Sequence, residues 1–275
     1  VAEMYYDKNS NQLREALLEK IKSVESKEKI SIDEAISICR AYCSYITFSS
    51  TLKAAKEILN VIANEKYIID ENIILTMKDG GTIAVTLVRN RKIETPQPVV
   101  FMSNIYAGSD LSACKEMVTR GFVGVIANTR GKRLSQSIIE PFEHDADDIY
   151  EVIDWISKQN WCNGKIGMYG GSYLGFAQWS ATKKMHPALK TIVPQVAVGI
   201  GIDYPMQNGV FMSYMLSWIH FVTNNKLIDL NEFNDDRWEK LYENYFKTGA
   251  AFRDLDKLDG RPNEIFQRWL NHPTY

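Results

Sequence analysis

Gly164-Lys165-Ile166-Gly167-Met168-Tyr169-Gly170-Gly171-Ser172-Tyr173-Leu174-Gly175 reads as a strand, a sharp turn and the start of a helix. Ile166 to Tyr169 form a short apolar run of the kind buried in a sheet, and small residues then permit a very tight turn with Ser172 at its tip. From Tyr173 the positions Leu174, Ala177, Gln178 and Ala181 fall at helical spacing. Strand, serine turn and helix in this order form a nucleophile elbow, which lifts the serine hydroxyl clear of the sheet. The opening turn of the helix offers unpaired backbone N–H groups to a developing oxyanion. The strict Gly-x-Ser-x-Gly pattern is not met, because Leu174 holds its last place and Gly175 follows one later. A dinucleotide loop does not fit either: it belongs after the first strand of such a unit, whereas Ser172 follows roughly the fifth.

Outward from this turn, strands and helices alternate. Ile73-Ile74-Leu75, Lys78-Asp79-Gly80-Gly81 and Ile83 to Val88 read as a hairpin with a glycine-bearing turn. Val99 to Met102 and Phe122 to Ala127 read as buried strands, separated by a helix carrying Leu111, Cys114, Met117 and Val118. A helix over 145–158 presents Ile149, Val152, Ile153 and Ile156 on one face, and Thr191-Ile192-Val193 is a strand beyond the serine helix. This alternation predicts an α/β protein with a mostly parallel sheet covered by helices on both faces. Three parts are expected: a helical extension over 1–66, the α/β core over 67–198 and a helical cap over 199–275. The extension reads as three helices, with Ser31 and Glu34 as a capping box and Ser50 as the cap of the third. It reads as an appendage packing on the core or on a partner subunit. The cap is aromatic, with Phe211, Tyr214, Met215, Trp218 and Ile219, then Trp238, Leu241, Tyr242, Tyr245 and Phe246, at helical spacing.

The 275 residues are 45% hydrophobic and 24% charged, an ordinary globular balance. A net charge of −2 gives nucleic acid or an anionic membrane no electrostatic purchase. No apolar run reaches the roughly 18 residues of a membrane span. The expectation is a soluble protein, cytoplasmic or exported after removal of a leader; the first residue, Val1, does not choose between them. Cys39, Cys43, Cys114 and Cys162 match no zinc or redox spacing, so no metal or cofactor is expected and free, mostly buried thiols are.

Several motifs together resemble the family of cocaine esterase and X-prolyl dipeptidyl peptidase, serine hydrolases on the α/β-hydrolase fold. They are Trp155-Ile156 through Trp161-Cys162-Asn163-Gly164, Gly170-Gly171-Ser172-Tyr173-Leu174-Gly175, Met77-Lys78-Asp79-Gly80, Thr129-Arg130-Gly131 and Asn271-His272-Pro273. The resemblance spans about 70–275. It implies that Ser172 is the acylated nucleophile, that the backbone N–H of Tyr173 is one oxyanion donor and that the hydroxyl of Tyr106 is the other. Ile105 departs from the proline usual before that tyrosine, Asn128 replaces a frequent aspartate and Arg133 a common glycine. Arg130 and Asp148 are expected to pair as structural residues.

A serine nucleophile needs a base and an orienting acid. His144 stands at a helix start in a capping or solvent role, and His186 reads as a surface residue before Pro187. His220 lies in the aromatic stripe and reads as packing. His272 is not the family's catalytic histidine. In the family both acid and base come from later strands, so the fold is expected to be truncated here, with Asp and His supplied by a C-terminal continuation or a second chain. The expected activity is hydrolysis of an ester, an X-Pro peptide or an amino-acid ester, inactive in this chain alone. Asp203, Asp235 and Asp236 are candidates for binding a substrate amine, though charge on a solvated face is the usual explanation for such residues. The alternative is a non-catalytic binding or scaffold protein; self-association fits either reading.

Overall fold

A computed structural model of the chain describes residues 9–272, so Pro273 of the Asn-His-Pro match lies outside the described residues. The chain divides into two compact units, one up to Tyr67 and one from Ile68 onward. Among the described residues the first holds two helices, α1 (Ser10–Lys22) and α2 (Ile32–Lys66), where the sequence suggests three over 9–64. The capping box is present: Ser31 accepts from the Glu34 amide, and Glu34 accepts from that of Ser31. Ser50, expected to start a third helix, instead sits within α2 and donates back to the Ile46 carbonyl at 2.8 Å. No glycine or proline interrupts residues 32–66, so the Ser-Ser-Thr run satisfies its hydroxyls inside one helix rather than ending it.

The second unit is built on a six-stranded sheet of β1 (Tyr67–Thr76), β2 (Thr82–Asn90), β3 (Gln97–Asn104), β4 (Val123–Asn128), β5 (Cys162–Gly171) and β6 (Leu189–Gln195), ordered β1-β2-β4-β3-β5-β6. β2 runs antiparallel to β4, whereas β4, β3, β5 and β6 are mutually parallel. The crossover helices are α3 (Asp110–Thr119), α4 (Asp145–Ser157) and α5 (Tyr173–Ala181). Right-handed crossovers in this strand order put α3 on one face and α4 and α5 together on the other. Every residue of β4 is buried, as a strand covered on both faces requires. The sheet core is aliphatic, centred on Val85, Val99, Phe101, Val125, Ile153 and Ile166.

After β6 come the short strands β7 (Met206–Gln207) and β8 (Val210–Phe211), then α6 (Met215–Thr223), α7 (Leu230–Phe233), α8 (Arg237–Thr248), a 3-10 turn, α9 (Leu255–Leu258) and α10 (Glu264–Asn271). Phe211 is thus on a strand, not on the helical stripe the spacing suggests. Asn208 and Gly209 both take positive φ between β7 and β8, the Asn-Gly hairpin turn that matches strand twist. This region has its own aromatic core, including Tyr204, Trp218, Trp238, Phe266 and Trp269. Glu232 and Asp259 both accept from Arg237 and Arg261, which cross-links α7, α8 and the approach to α10.

Candidate active site

The carboxyl ends of β3, β4 and β5 lie side by side in the sheet, and their loops meet where open α/β sheets build their sites. At the end of β5, Ser172 takes φ +56° and ψ −123°, a left-handed backbone that side chains avoid and that costs roughly 1–3 kcal/mol. The turn is held from β6, where the Gln195 carbonyl accepts the Ser172 amide at 3.1 Å. Gly175 is required by packing, since a Cβ there would lie 2.8 Å from Ala197. At Gly170, φ +141° and a Cβ position 2.6 Å from Leu174 Cβ leave room only for hydrogen. Buried Gln178 of α5 braces the turn, donating to the Gly170 carbonyl at 3.0 Å and accepting the Val193 amide at 2.8 Å. On the sequence it reads as one more member of a helical stripe.

Tyr106, in the loop after β3, brings its hydroxyl to 3.2 Å from Ser172 Oγ. Residues 66 positions apart in sequence therefore share one point in space. A buried polar frame holds the loop. The Tyr106 amide donates to Asn104 Oδ1 at 2.9 Å, Asn104 Nδ2 donates to Asp110 Oδ1 at 3.0 Å, and Asn128 Nδ2 donates to Asp110 Oδ2 at 2.9 Å. Burial raises the Asp110 carboxyl above its ordinary range, while the two amides act to hold it down. An aspartate at 128 would set a second carboxylate against this one, whereas asparagine supplies the donor that Asp110 lacks. Arg133, in the place of a common glycine, takes φ +49° and donates to the Glu71 carbonyl at 2.8 Å and to Thr86 Oγ1.

Tyr173 is the first residue of α5, where the amides have no preceding turn to bond. Its side chain is buried; the hydroxyl donates to Asp145 Oδ2 at 2.8 Å and accepts the Phe142 amide at 3.0 Å. Burial pushes the Asp145 carboxyl up to about 7 against the opposing bond from Tyr173, and drives the Tyr173 phenol well above its ordinary value. Asp145 escapes the sequence reading because an acid at a helix start looks like a dipole partner, as its neighbours Asp147 and Asp148 do. Depth sets Asp145 and Asp148 apart from exposed Asp147, and their partners set those two apart, a phenol for one and a guanidinium for the other. Asp148 pairs with Arg130 as expected, through bonds of 2.6 and 2.8 Å, and Arg130 also reaches Asp79.

Ser172, Tyr106 and Tyr173 all line one cavity of about 270 Å³, closed by Phe142, Val198, Tyr204, Tyr214, Trp218, Phe221 and Phe233. Trp218 Nε1 donates to the Tyr106 hydroxyl at 3.4 Å. Phe142 sits at the centre of the aromatic cluster, 4.7 Å from Tyr173 and 5.7 Å from Trp218 between ring centroids.

Among the described residues, no histidine is hydrogen-bonded to Ser172. His144 makes no capping bond and lies 3.4 Å from Glu140. His186, expected at the surface, is buried: Nδ1 accepts the Ala188 amide at 3.1 Å and the ring meets Tyr150 edge-on. The turn at Pro187 folds the ring inward to cap its own backbone. His220 is buried against Trp238, and burial, with Arg237 nearby, lowers it to about 4. His272 is exposed at the end of α10. Asp203, Asp235 and Asp236 lie outside the cavity lining; Asp203 accepts the Gly199 amide and Asp235 that of Arg237.

The family model described as X-Pro dipeptidyl-peptidase (S15 family) matches residues 79–275. The chain belongs to this family. As a member of the S15 hydrolases it is 36% identical over 138 residues to the cocaine esterase of Rhodococcus sp. (strain MB1 Bresler), covering 48% of this chain and 24% of that protein. It is 30% identical over 113 residues to the Xaa-Pro dipeptidyl-peptidase of Lactobacillus helveticus, covering 35% of this chain and 14% of that one. A solved α-amino acid ester hydrolase shares the fold at TM-score 0.60 and 24% identity, covering 77% of this chain and 38% of its own. The fold is that of the α/β-hydrolases, and the S15 chain matches a quarter or less of the length of these curated relatives. Among the described residues, no helix is long and apolar enough to cross a membrane.

Proposed function

We propose that this chain carries the nucleophile and the oxyanion-binding half of a serine hydrolase that cleaves an ester or amide through an acyl-enzyme. The observation that carries the reading is the Tyr106 hydroxyl 3.2 Å from Ser172 Oγ, at a nucleophile elbow whose serine has a left-handed backbone. Ser172 Oγ attacks the substrate carbonyl carbon and its proton passes to a base. The carbonyl oxygen becomes an oxyanion that accepts from the Tyr106 hydroxyl and the Tyr173 amide. Collapse of this intermediate expels the alcohol or amine, which takes up the proton, and water then releases the acyl group from Ser172.

The base and its acid belong to polypeptide outside these residues, either a continuation of the chain or a second chain. The separate occupations of His144, His186 and His220 and the exposed position of His272 support this. The cavity lining among the described residues is uncharged and largely aromatic, which supports an apolar acyl group on this side of the site. The names of the relatives support ester and peptide bonds alike.

The test is turnover of nitrophenyl acyl esters by the full-length protein, with fluorophosphonate labelling mapped by mass spectrometry. The expected result is a label on Ser172 and loss of turnover in Ser172→Ala by more than about 10³-fold. A label elsewhere, or a Ser172→Ala variant as active as its parent, would sink the reading.

A further inference from the structure

Lys132, in the loop after β4, is wholly buried, yet among the described residues its hydrogen-bond partners are two backbone carbonyls and no carboxylate. Nζ donates to the Asn225 carbonyl at 2.9 Å and to the Leu227 carbonyl at 3.3 Å. Burial alone depresses it to about 8. A buried ammonium without a counter-ion is costly, so the site it occupies must require what it does there.

What it holds is the link between α6 and α7, residues 225–228. The same link is gripped again by the next residue, whose amide donates from Arg133 to the Lys226 carbonyl at 2.9 Å, while Lys226 Nζ returns a bond to the Ser135 carbonyl. At its other end the Ile228 amide donates to the Ala107 carbonyl at 3.1 Å, one residue from Tyr106. The link is therefore tied both to the loop after β4 and to the loop that presents the Tyr106 hydroxyl. The two rings it connects are Phe221 of α6 and Phe233 of α7, with centroids 4.8 Å apart. Both line the cavity beside Ser172, and Phe221 lies 5.9 Å from the Tyr106 ring.

We propose that Lys132 is a positioning residue that sets the Phe221–Phe233 wall of the cavity by clamping the carbonyls of the link, and so determines how long an acyl group the site accepts. The inference rests on Ser172 being the nucleophile. An ammonium suits the task because it directs several donors from one compact point, whereas a guanidinium is planar and larger. The wall itself is held by aromatic contact, which is non-directional. The clamp adds the directional element.

The test compares nitrophenyl acetate with nitrophenyl hexanoate in the full-length protein and its Lys132→Met variant, each rate divided by the Ser172 sites that a fluorophosphonate titrates. That division removes any unfolded fraction. The expected result is a fall of about tenfold in the hexanoate-to-acetate ratio of kcat/KM, carried mainly by KM for hexanoate, with acetate changed by less than about twofold. A merely structural role would lower both esters together or only the melting temperature. Lys132→Gln, which keeps two N–H donors on a shorter, uncharged side chain, is expected to fall between the two. Hydrogen exchange at the Arg133 and Ile228 amides is measured in parallel and is expected to quicken about tenfold or more in Lys132→Met. An unchanged ester ratio in folded, titrated enzyme would overturn the proposal. If the parent protein turns over neither ester, the nucleophile reading fails, and the exchange rates then decide the clamp: unchanged protection at both amides overturns it too.

Discussion

Beneath Ser172 and beside it lie two regions built on different terms. Beneath is a frame of polar side chains at the strand ends and on the helices that follow, Asn104, Asp110, Asn128, Asp145 and Gln178, each holding another group by hydrogen bonds of 2.8 to 3.0 Å. Beside it is the aromatic shell of Tyr204, Tyr214, Trp218, Phe221 and Phe233, packed ring on ring and tied at its edge by the Glu232–Asp259 ion-pair cluster. The contrast teaches a division of labour. Directional bonds set where the Tyr106 and Ser172 hydroxyls stand, because a hydrogen bond weakens steeply with angle. Ring packing sets how much space the cavity beside Ser172 offers, because it depends mainly on volume.

The strongest way to break this contrast is Tyr106→Phe, which keeps the ring in the shell and removes the hydroxyl that faces Ser172. If the directional part governs chemistry, kcat for a nitrophenyl ester falls about 10² to 10³-fold, with little change in KM or melting temperature. A fall in melting temperature without that loss would reverse the assignment of roles.

Glu232→Gln tests the other side. Glu232 accepts from two arginines, one of them more than a third exposed, so its loss leaves an unbalanced but partly solvated cluster. The expected cost is about 2 kcal/mol in denaturant unfolding, below the roughly 3–5 kcal/mol of a fully buried pair. Normalised kcat should change much less than in Tyr106→Phe.

In the pH dependence of stability the two regions differ in sign and pull in opposite senses. Asp145, in the frame, is raised by burial from 3.8 to about 7, so the folded state holds a proton that the unfolded state gives up. Its contribution is therefore lost as pH rises from about 4 to 7. His220, in the shell, is lowered by burial from 6.5 to about 4. The folded state there refuses a proton that the unfolded state takes, so stability is lost as pH falls from about 6.5 to 4. Asp145→Asn should flatten the first slope and His220→Phe the second, measured as unfolding free energy at half-unit pH steps. Slopes unchanged in both variants would place the titrating groups elsewhere.

Much of the frame's scaffold was legible along the chain. Alternating apolar runs located the strands of the sheet, and the Gly170-Gly171-Ser172 turn with its following helix announced itself by local sterics. Tyr106 was reachable only through resemblance, since a loop tyrosine carries no periodic signal. Asp145 and Gln178 were hidden for a shared reason: their side chains look ordinary for a helix, and what distinguishes them is depth. The same blindness turned His186 into a surface residue and split α2 at Ser50, where nothing local says whether a hydroxyl caps a helix or bonds back within one. The Asn208-Gly209 hairpin was different, because its signal was present in two adjacent residues and was masked by the aromatic spacing around it.

What the sequence determined by itself, then, was whatever depends on neighbours a few residues apart: the period of each strand and helix, the capping box at Ser31, and the turn that small residues allow at Ser172. The tertiary structure alone decided which polar groups are buried together, that the hydroxyls of Tyr106 and Ser172 stand 3.2 Å apart, and which rings enclose them. Those facts depend on where the sheet brings distant strand ends, and desolvation and close packing act on positions in space rather than on order along the chain.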